Sequence, residues 1–163
     1  MALIGCGGRG SYLAGVFQSN PGVSLSWVCD VDTGRLKRGQ KLAREKVKTS
    51  DDIRKVLADD TLDAVIVATP DHWHAPAAIL ACEAGKHVYV EKPMARTHSE
   101  CAAMVAACKE AGVPLFVAYY RRMLPAFHKV KSLVEEGTIG EVRYAVIELC
   151  PVSYKHLTLQ TKA

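Results

Sequence analysis

No stretch of this 163-residue chain is long and apolar enough to span a bilayer, and no signal peptide opens it. No membrane partner is therefore expected, while the missing signal peptide says little, because the chain opens straight into "MALIGCGG" and its true beginning is expected to be missing. The six cysteines, at 6, 29, 82, 101, 108 and 150, include no CxxC pair, so they lack the paired spacing of a structural zinc site. Cys6, Cys29 and Cys82 sit inside apolar runs and read as small core residues. Cys101 and Cys108, seven apart, fall near one helical face. Free thiols in a reducing, cytoplasmic compartment fit this pattern better than bridges or zinc ligands, with export of a longer parent left open. A concentrated block of one charge is missing too: 21 basic against 17 acidic side chains leave +4. The densest basic run, "RLKRGQK" at 35–41, reads as a solvated helix face, and no nucleic-acid partner is expected. Internal repeats and low-complexity segments are absent as well.

What the chain does contain is alternation. Short β-rich runs at 2–5, 23–32, about 47–48, 63–70, 87–93 and 114–120 are separated by helical stretches at 11–19, 33 to about 46, 50–58, 75–84 and 97–112. Ser50 is expected to cap the third helix, and Gly85 and Gly112 to stop the fourth and fifth. "DAVIVATP" at 63–70 is continuously apolar at its centre, the signature of a parallel strand covered on both faces. Strands alternating with helices predict an α/β fold, a Rossmann-type doubly wound parallel sheet built of right-handed βαβ units. A further helix at 124–137 and a strand at 141–149 follow. The periodicity stops after Cys150, and residues 151–163 resemble translated adapter sequence, so they are expected to be a non-native tail.

Chemistry concentrates at strand ends. "GCGGRG" (5–10) is a GxGxxG lying between the first strand and the first helix. Gly5 permits the tight turn, Gly7 lets backbone approach a pyrophosphate, and Gly10 lets the helix pack close to the sheet. The helix N-terminus offers N–H groups to the phosphates, with Cys6, Gly8 and Arg9 in the same loop. Asp30 follows Gly10 by 20 residues at the end of the second strand, where a carboxylate accepts hydrogen bonds from an adenosine ribose. Asp30 is followed by Val31 rather than Arg, and a carboxylate repels a 2′-phosphate, so NAD is favoured over NADP, although Arg35 can still swing in. "ATPDHWHAP" (68–76) brings Thr69 and Pro70 to the end of the fourth strand. His72 and His74 are spaced by two with no third ligand nearby, so no metal is expected. His74 can cap the next helix or touch cofactor, and Trp73 can be packing. "YVEKPMA" (89–95) ends the fifth strand with Glu91 and Lys92, and Pro93 restricts Lys92 to extended conformations. A lysine so placed can donate to a substrate hydroxyl, polarise the reacting C–O bond and join a proton relay. Glu91 can orient it.

These motifs, with "AGKHVYVEKPMA" and "RRMLPAFHKVKSLVEEGTIGEV" in the same order, resemble the glucose–fructose oxidoreductase, inositol dehydrogenase and rhizopine-catabolism family (Gfo/Idh/MocA) over residues 2 to about 149. The resemblance implies an NAD(P)-dependent oxidoreductase acting on a hydroxyl carbon of a sugar, sugar acid or cyclitol. Lys92 would be the catalytic lysine, contacting nicotinamide ribose and substrate hydroxyl. Glu91 and the Arg121–Arg122 pair would lie near the nicotinamide end, with Arg122 counted among the cofactor-binding residues. It also implies a division into an NAD(P)-binding domain at 1–120 and, at 121–150, a linker helix and first strand of a truncated substrate domain. The Asp and His that complete catalysis would lie beyond the chain. The chain is expected to be a fragment, its true N-terminus missing, that does not turn over alone; the parent is expected to be a homo-oligomer. Two rivals remain: a glycosidase-like relative that holds NAD tightly for transient oxidation, and a non-catalytic dinucleotide-binding module.

Overall fold

The structure, a computed structural model, describes residues 1–146. By internal contacts the chain divides into two compact units, Met1–Tyr119 and a second beginning at Tyr120. The first unit carries six parallel strands: β1 (Ala2–Ile4), β2 (Trp27–Cys29), β3 (Lys48–Ser50), β4 (Ala64–Val67), β5 (His87–Val90) and β6 (Leu115–Val117). The helices between them are α1 (Gly8–Gln18), α2 (Thr33–Leu42), α3 (Ile53–Leu57), α4 (His74–Glu83) and α5 (His98–Glu110). The sheet order is β3-β2-β1-β4-β5-β6. Sequence order reverses between β1 and β4, which pair with Ala2 opposite Val65 and Ile4 opposite Val67. Beyond the carboxyl ends of these strands lies the crevice where such sheets bind ligands.

Strand alternation divides the core between the two faces. Ala2, Ile4, Val65, Val67, Val88 and Val90 pack against α3, α4 and α5 through Val56, Ala78, Ala81 and Met104. Leu3, Val28 and Ile66 face the other way, against Leu13 and Ala14 of α1. The expected doubly wound sheet is present. Gly85 and Gly112 terminate α4 and α5 with φ of +71° and +67°, a conformation that side chains other than glycine rarely take. Thr97 caps α5 in a full capping box with Glu100.

Several local expectations are corrected. α1 begins at Gly8, inside the glycine motif rather than after it. β2 is three residues long, not ten. Ser50 ends β3, and the cap of α3 is Asp52, whose carboxylate accepts the Arg54 N–H. Ser50 instead exchanges hydrogen bonds with the Asp52 backbone, because it is already committed to the strand. The free-thiol expectation fails for two cysteines. α4 packs on α5, bringing the Cα atoms of Cys82 and Cys108 to 5.0 Å, and the two form a disulfide, a separation ordinary for such bonds. Cys6, Cys29 and Cys101 remain free.

The second unit holds a short 3-10 turn (Tyr120–Met123) and α6 (Pro125–Glu135), which starts with proline at its first position and is followed by Gly137 at φ +68°. The strand expected at 141–149 is not formed over 141–146; its remaining three positions, like the 151–163 tail, lie outside the described residues. No helix of the described residues is long and apolar enough to cross a membrane.

Candidate functional site

Four strand ends meet at the carboxyl edge of the sheet. Gly5, immediately after β1, has φ +92°, and a Cβ there would lie 2.6 Å from the Ala68 carbonyl oxygen beyond β4. The glycine turn is thus seated directly on the Ala68–Thr69 segment. Gly10 is packed still more tightly, since a Cβ on it would collide with the Gly5 carbonyl oxygen. Gly7 and Gly8 differ: a Cβ at either meets nothing within 4 Å. The first pair serves the fold, and the second borders open space. α1 starts there with no side chain capping it, so its first N–H groups point outward with the positive end of the helix dipole.

Asp30, just past β2, is tied into the same loop. One carboxylate oxygen accepts the Cys6 N–H at 2.7 Å and the other the Asp32 N–H at 2.9 Å. Each oxygen keeps a lone pair for a further donor. Asp32 is itself spent on capping α2 through the Arg35 N–H, while Val31 is 86% exposed and has no part in this network. Cys6 is packing rather than chemistry. Burial, with Asp30 adding, pushes its thiol up to about 12, which keeps it protonated and unreactive. A residue the sequence reading overlooked is Gly39 in α2, where a Cβ would stand 2.6 Å from the Cys6 sulfur. It allows α2 to close on the loop; an isolated glycine inside a helical run was the available signal.

On the β4–β5 side, His74 is buried, and its Nδ1 lies 2.6 Å from the Pro93 carbonyl oxygen and its Nε2 2.9 Å from that of Thr69. It opens α4 rather than capping it, and it fastens the Thr69 loop to the Lys92–Pro93 segment, whose peptide bond is cis. The Thr69 hydroxyl is buried and has no hydrogen-bond partner among the described residues. Glu91, 4% exposed, accepts the Arg9 Nε–H at 2.5 Å on one oxygen and the Lys92 N–H at 3.0 Å on the other. The hydrogen bond to Glu91, above all, raises Arg9 further above the ordinary guanidinium range. Lys92 is exposed, and its ammonium makes no hydrogen bond or ion pair among the described residues. Trp73 is 51% exposed, not core packing. Arg121 and Arg122 belong to the second unit, on its exposed 3-10 turn.

These residues fit an NAD molecule: two glycines open to an approaching phosphate, an uncapped helix N-terminus, a carboxylate with spare acceptor capacity, and, on the Thr69 segment against which the glycine turn packs, a buried hydroxyl with no partner among the described residues. No three His, Cys, Asp or Glu side chains among the described residues are grouped to hold a metal.

Comparison with known proteins points the same way. A family model described as "Oxidoreductase family, NAD-binding Rossmann fold" (Gfo/Idh/MocA) matches residues 1–119. The scyllo-inositol 2-dehydrogenase (NAD(+)) of Bacillus subtilis is 36% identical over 160 residues, 96% of this chain and 43% of that protein. The WlbA dehydrogenase of Bordetella pertussis, crystallised with NADH and UDP-GlcNAcA, superposes with a TM-score of 0.78 at 32% identity, covering 86% of this chain and 40% of the other. A levoglucosan dehydrogenase in complex with NADH and levoglucosan gives 0.74 at 32% identity, covering 86% and 40%. The chain spans less than half the length of the curated relatives it matches.

Proposed function

Since this chain belongs to the Gfo/Idh/MocA oxidoreductase family with its NAD-binding Rossmann fold, we propose that it is the cofactor-binding half of an NAD-dependent dehydrogenase acting on a hydroxyl carbon of a sugar or cyclitol. Relatives named for inositol and levoglucosan support that substrate class. The observation that carries the proposal is the exposed Lys92 ammonium, with no hydrogen bond or ion pair among the described residues, at the same carboxyl edge where Arg9 of the glycine loop pairs with Glu91.

NAD would be held by Gly7, Gly8, Arg9 and the start of α1 at its pyrophosphate. Asp30 would take the adenosine ribose, and Thr69 and Pro70 would line the crevice beyond. Glu91 and Lys92 are assigned to the nicotinamide end. When bound, NAD supplies a hydride acceptor. Lys92 would donate a hydrogen bond to the substrate hydroxyl oxygen, orient the C–O bond and stabilise negative charge as the hydroxyl proton leaves. The protein beneath it is preorganised, since His74 and Glu91 hold the backbone on both sides of the lysine. The substrate pocket, the remaining catalytic groups and the homo-oligomeric state are assigned to the parent enzyme, and the 1–120 and 121–150 division to its two domains.

NAD and NADP titration by calorimetry tests this on the chain itself. NAD is expected to bind more tightly than NADP, Asp30→Ala to abolish binding, and Lys92→Ala to leave affinity within about twofold, the scale of a dispensable contact. A folded chain that binds neither nucleotide would overturn the cofactor assignment. A large loss in Lys92→Ala would make the lysine a cofactor anchor instead of a group kept for substrate.

A further inference from the structure

The glycine loop and Lys92 are joined by one ion pair whose placement has no explanation in stability alone. Arg9 sits in the first turn of α1, at the positive end of the helix dipole, where a cation is disfavoured, and no acid shares that turn. Its side chain is 47% exposed, yet its partner Glu91 is 5% exposed. A buried carboxylate is costly unless both oxygens are satisfied. Here one oxygen takes the Arg9 Nε–H and the other the Lys92 backbone N–H. The Arg9 guanidinium also lies 5.3 Å from the Tyr12 ring centroid, which steadies its plane. Its other N–H groups donate to nothing among the described residues, and Gly7 and Gly8, the residues just before it in the chain, border open space.

We propose that Arg9 is a positioning residue for Lys92: it grips one oxygen of Glu91 so that the other fixes the Lys92 backbone, while its outer N–H groups are kept for an anionic phosphate. The inference rests on the dinucleotide reading for the phosphate and on the ion pair alone for the positioning. Phosphate docking on Arg9 and the setting of Lys92 are thereby coupled through a single carboxylate.

The test compares the full chain with Arg9→Met, Arg9→Lys, Glu91→Gln and the Arg9→Met/Glu91→Gln double variant. The readouts are the Lys92 amide proton shift, its hydrogen exchange, and NAD affinity by calorimetry. The Val65, Ile66 and Val67 amides report on the fold. Arg9→Met is expected to move the Lys92 amide signal and speed its exchange about tenfold without cofactor, and to weaken NAD about tenfold, the scale of one charge-assisted hydrogen bond. Glu91→Gln should reproduce the amide change, and the double variant should be no worse than the more affected single one. Arg9→Lys keeps the charge without the fork, and should move the Lys92 amide in the same direction even if Arg9→Met does not fold. An unmoved Lys92 amide in either Arg9 variant, with core amides intact, overturns the proposal; if NAD still weakens, Arg9 is a phosphate ligand only. A wild-type chain that does not bind NAD sinks the dinucleotide reading, while the amide comparison still decides the positioning.

Discussion

The two edges of the sheet are built from similar residues and differ in how completely those residues are satisfied. At the amino edge, Asp59 accepts from the Trp27 indole N–H at 2.7 Å, the Lys48 ammonium at 2.8 Å, and the Thr61 hydroxyl and N–H. Lys86, buried just before β5, donates to the Asp59 carbonyl. The Cys82–Cys108 disulfide joins the ends of α4 and α5 close to the turns that lead into β5 and β6. At the carboxyl edge, among the described residues, the Thr69 hydroxyl has no hydrogen-bond partner and the Lys92 ammonium no hydrogen bond or ion pair, while Asp30 retains lone pairs. A closed network stabilises the fold. An open one at a crevice is poised for a ligand, and here the contrast separates structure from function more sharply than residue type does.

Gly10→Ala breaks the comparison most severely, because this carboxyl-edge glycine is needed for packing. Its Cβ would collide with the Gly5 carbonyl oxygen, so it is expected to cost about 3 kcal/mol in urea unfolding and to lose NAD binding. Gly7→Ala sharpens the contrast. Stability should stay within about 0.5 kcal/mol while NAD affinity falls about tenfold. A Gly7→Ala protein with unchanged NAD affinity would remove that glycine from the phosphate site.

Changes at the amino edge should do the reverse. Reducing the Cys82–Cys108 bond, which closes a sequence separation of 26, is expected to lower stability by about 3 kcal/mol on the chain-entropy scale and leave NAD affinity untouched. Trp27→Phe removes one donor from Asp59 and should cost about 1 kcal/mol, again without affecting NAD. The smallest effect is a pH dependence. The Lys48 ammonium, followed by Thr61 and Trp27, holds the Asp59 carboxyl well below the usual carboxylate range. A depressed carboxyl contributes stability that is complete above the unfolded value of about 4 and is lost as pH falls towards the folded one. Asp59→Asn should therefore flatten the acid limb of a stability–pH curve, and salt should shrink the difference.

Much of this molecule is legible in its sequence. GxGxxG after a strand, Asp30 at the next strand end and Glu-Lys-Pro at the end of another are local patterns, each read from neighbouring residues in the chain. Element boundaries were less legible. "VSLSWVCDVD" has strand-like residues throughout, but only Trp27–Cys29 pair with both β1 and β3, and a strand ends where its partners do. Ser50 and Asp52 are both good caps, and the pairing of β3 decided which was free to act.

The sequence by itself determined the fold class and the chemical inventory, because helix and strand periodicity and turn chemistry depend on residues close in the chain. Only the tertiary structure decided the partnerships. Arg9 and Glu91 are separated by 82 positions, His74 and Pro93 by 19, and Cys82 and Cys108 by 26. Their meeting depends on strand order and helix packing. Hydrogen bonds and ion pairs act over a few ångströms, so which residues share one is settled when the sheet assembles.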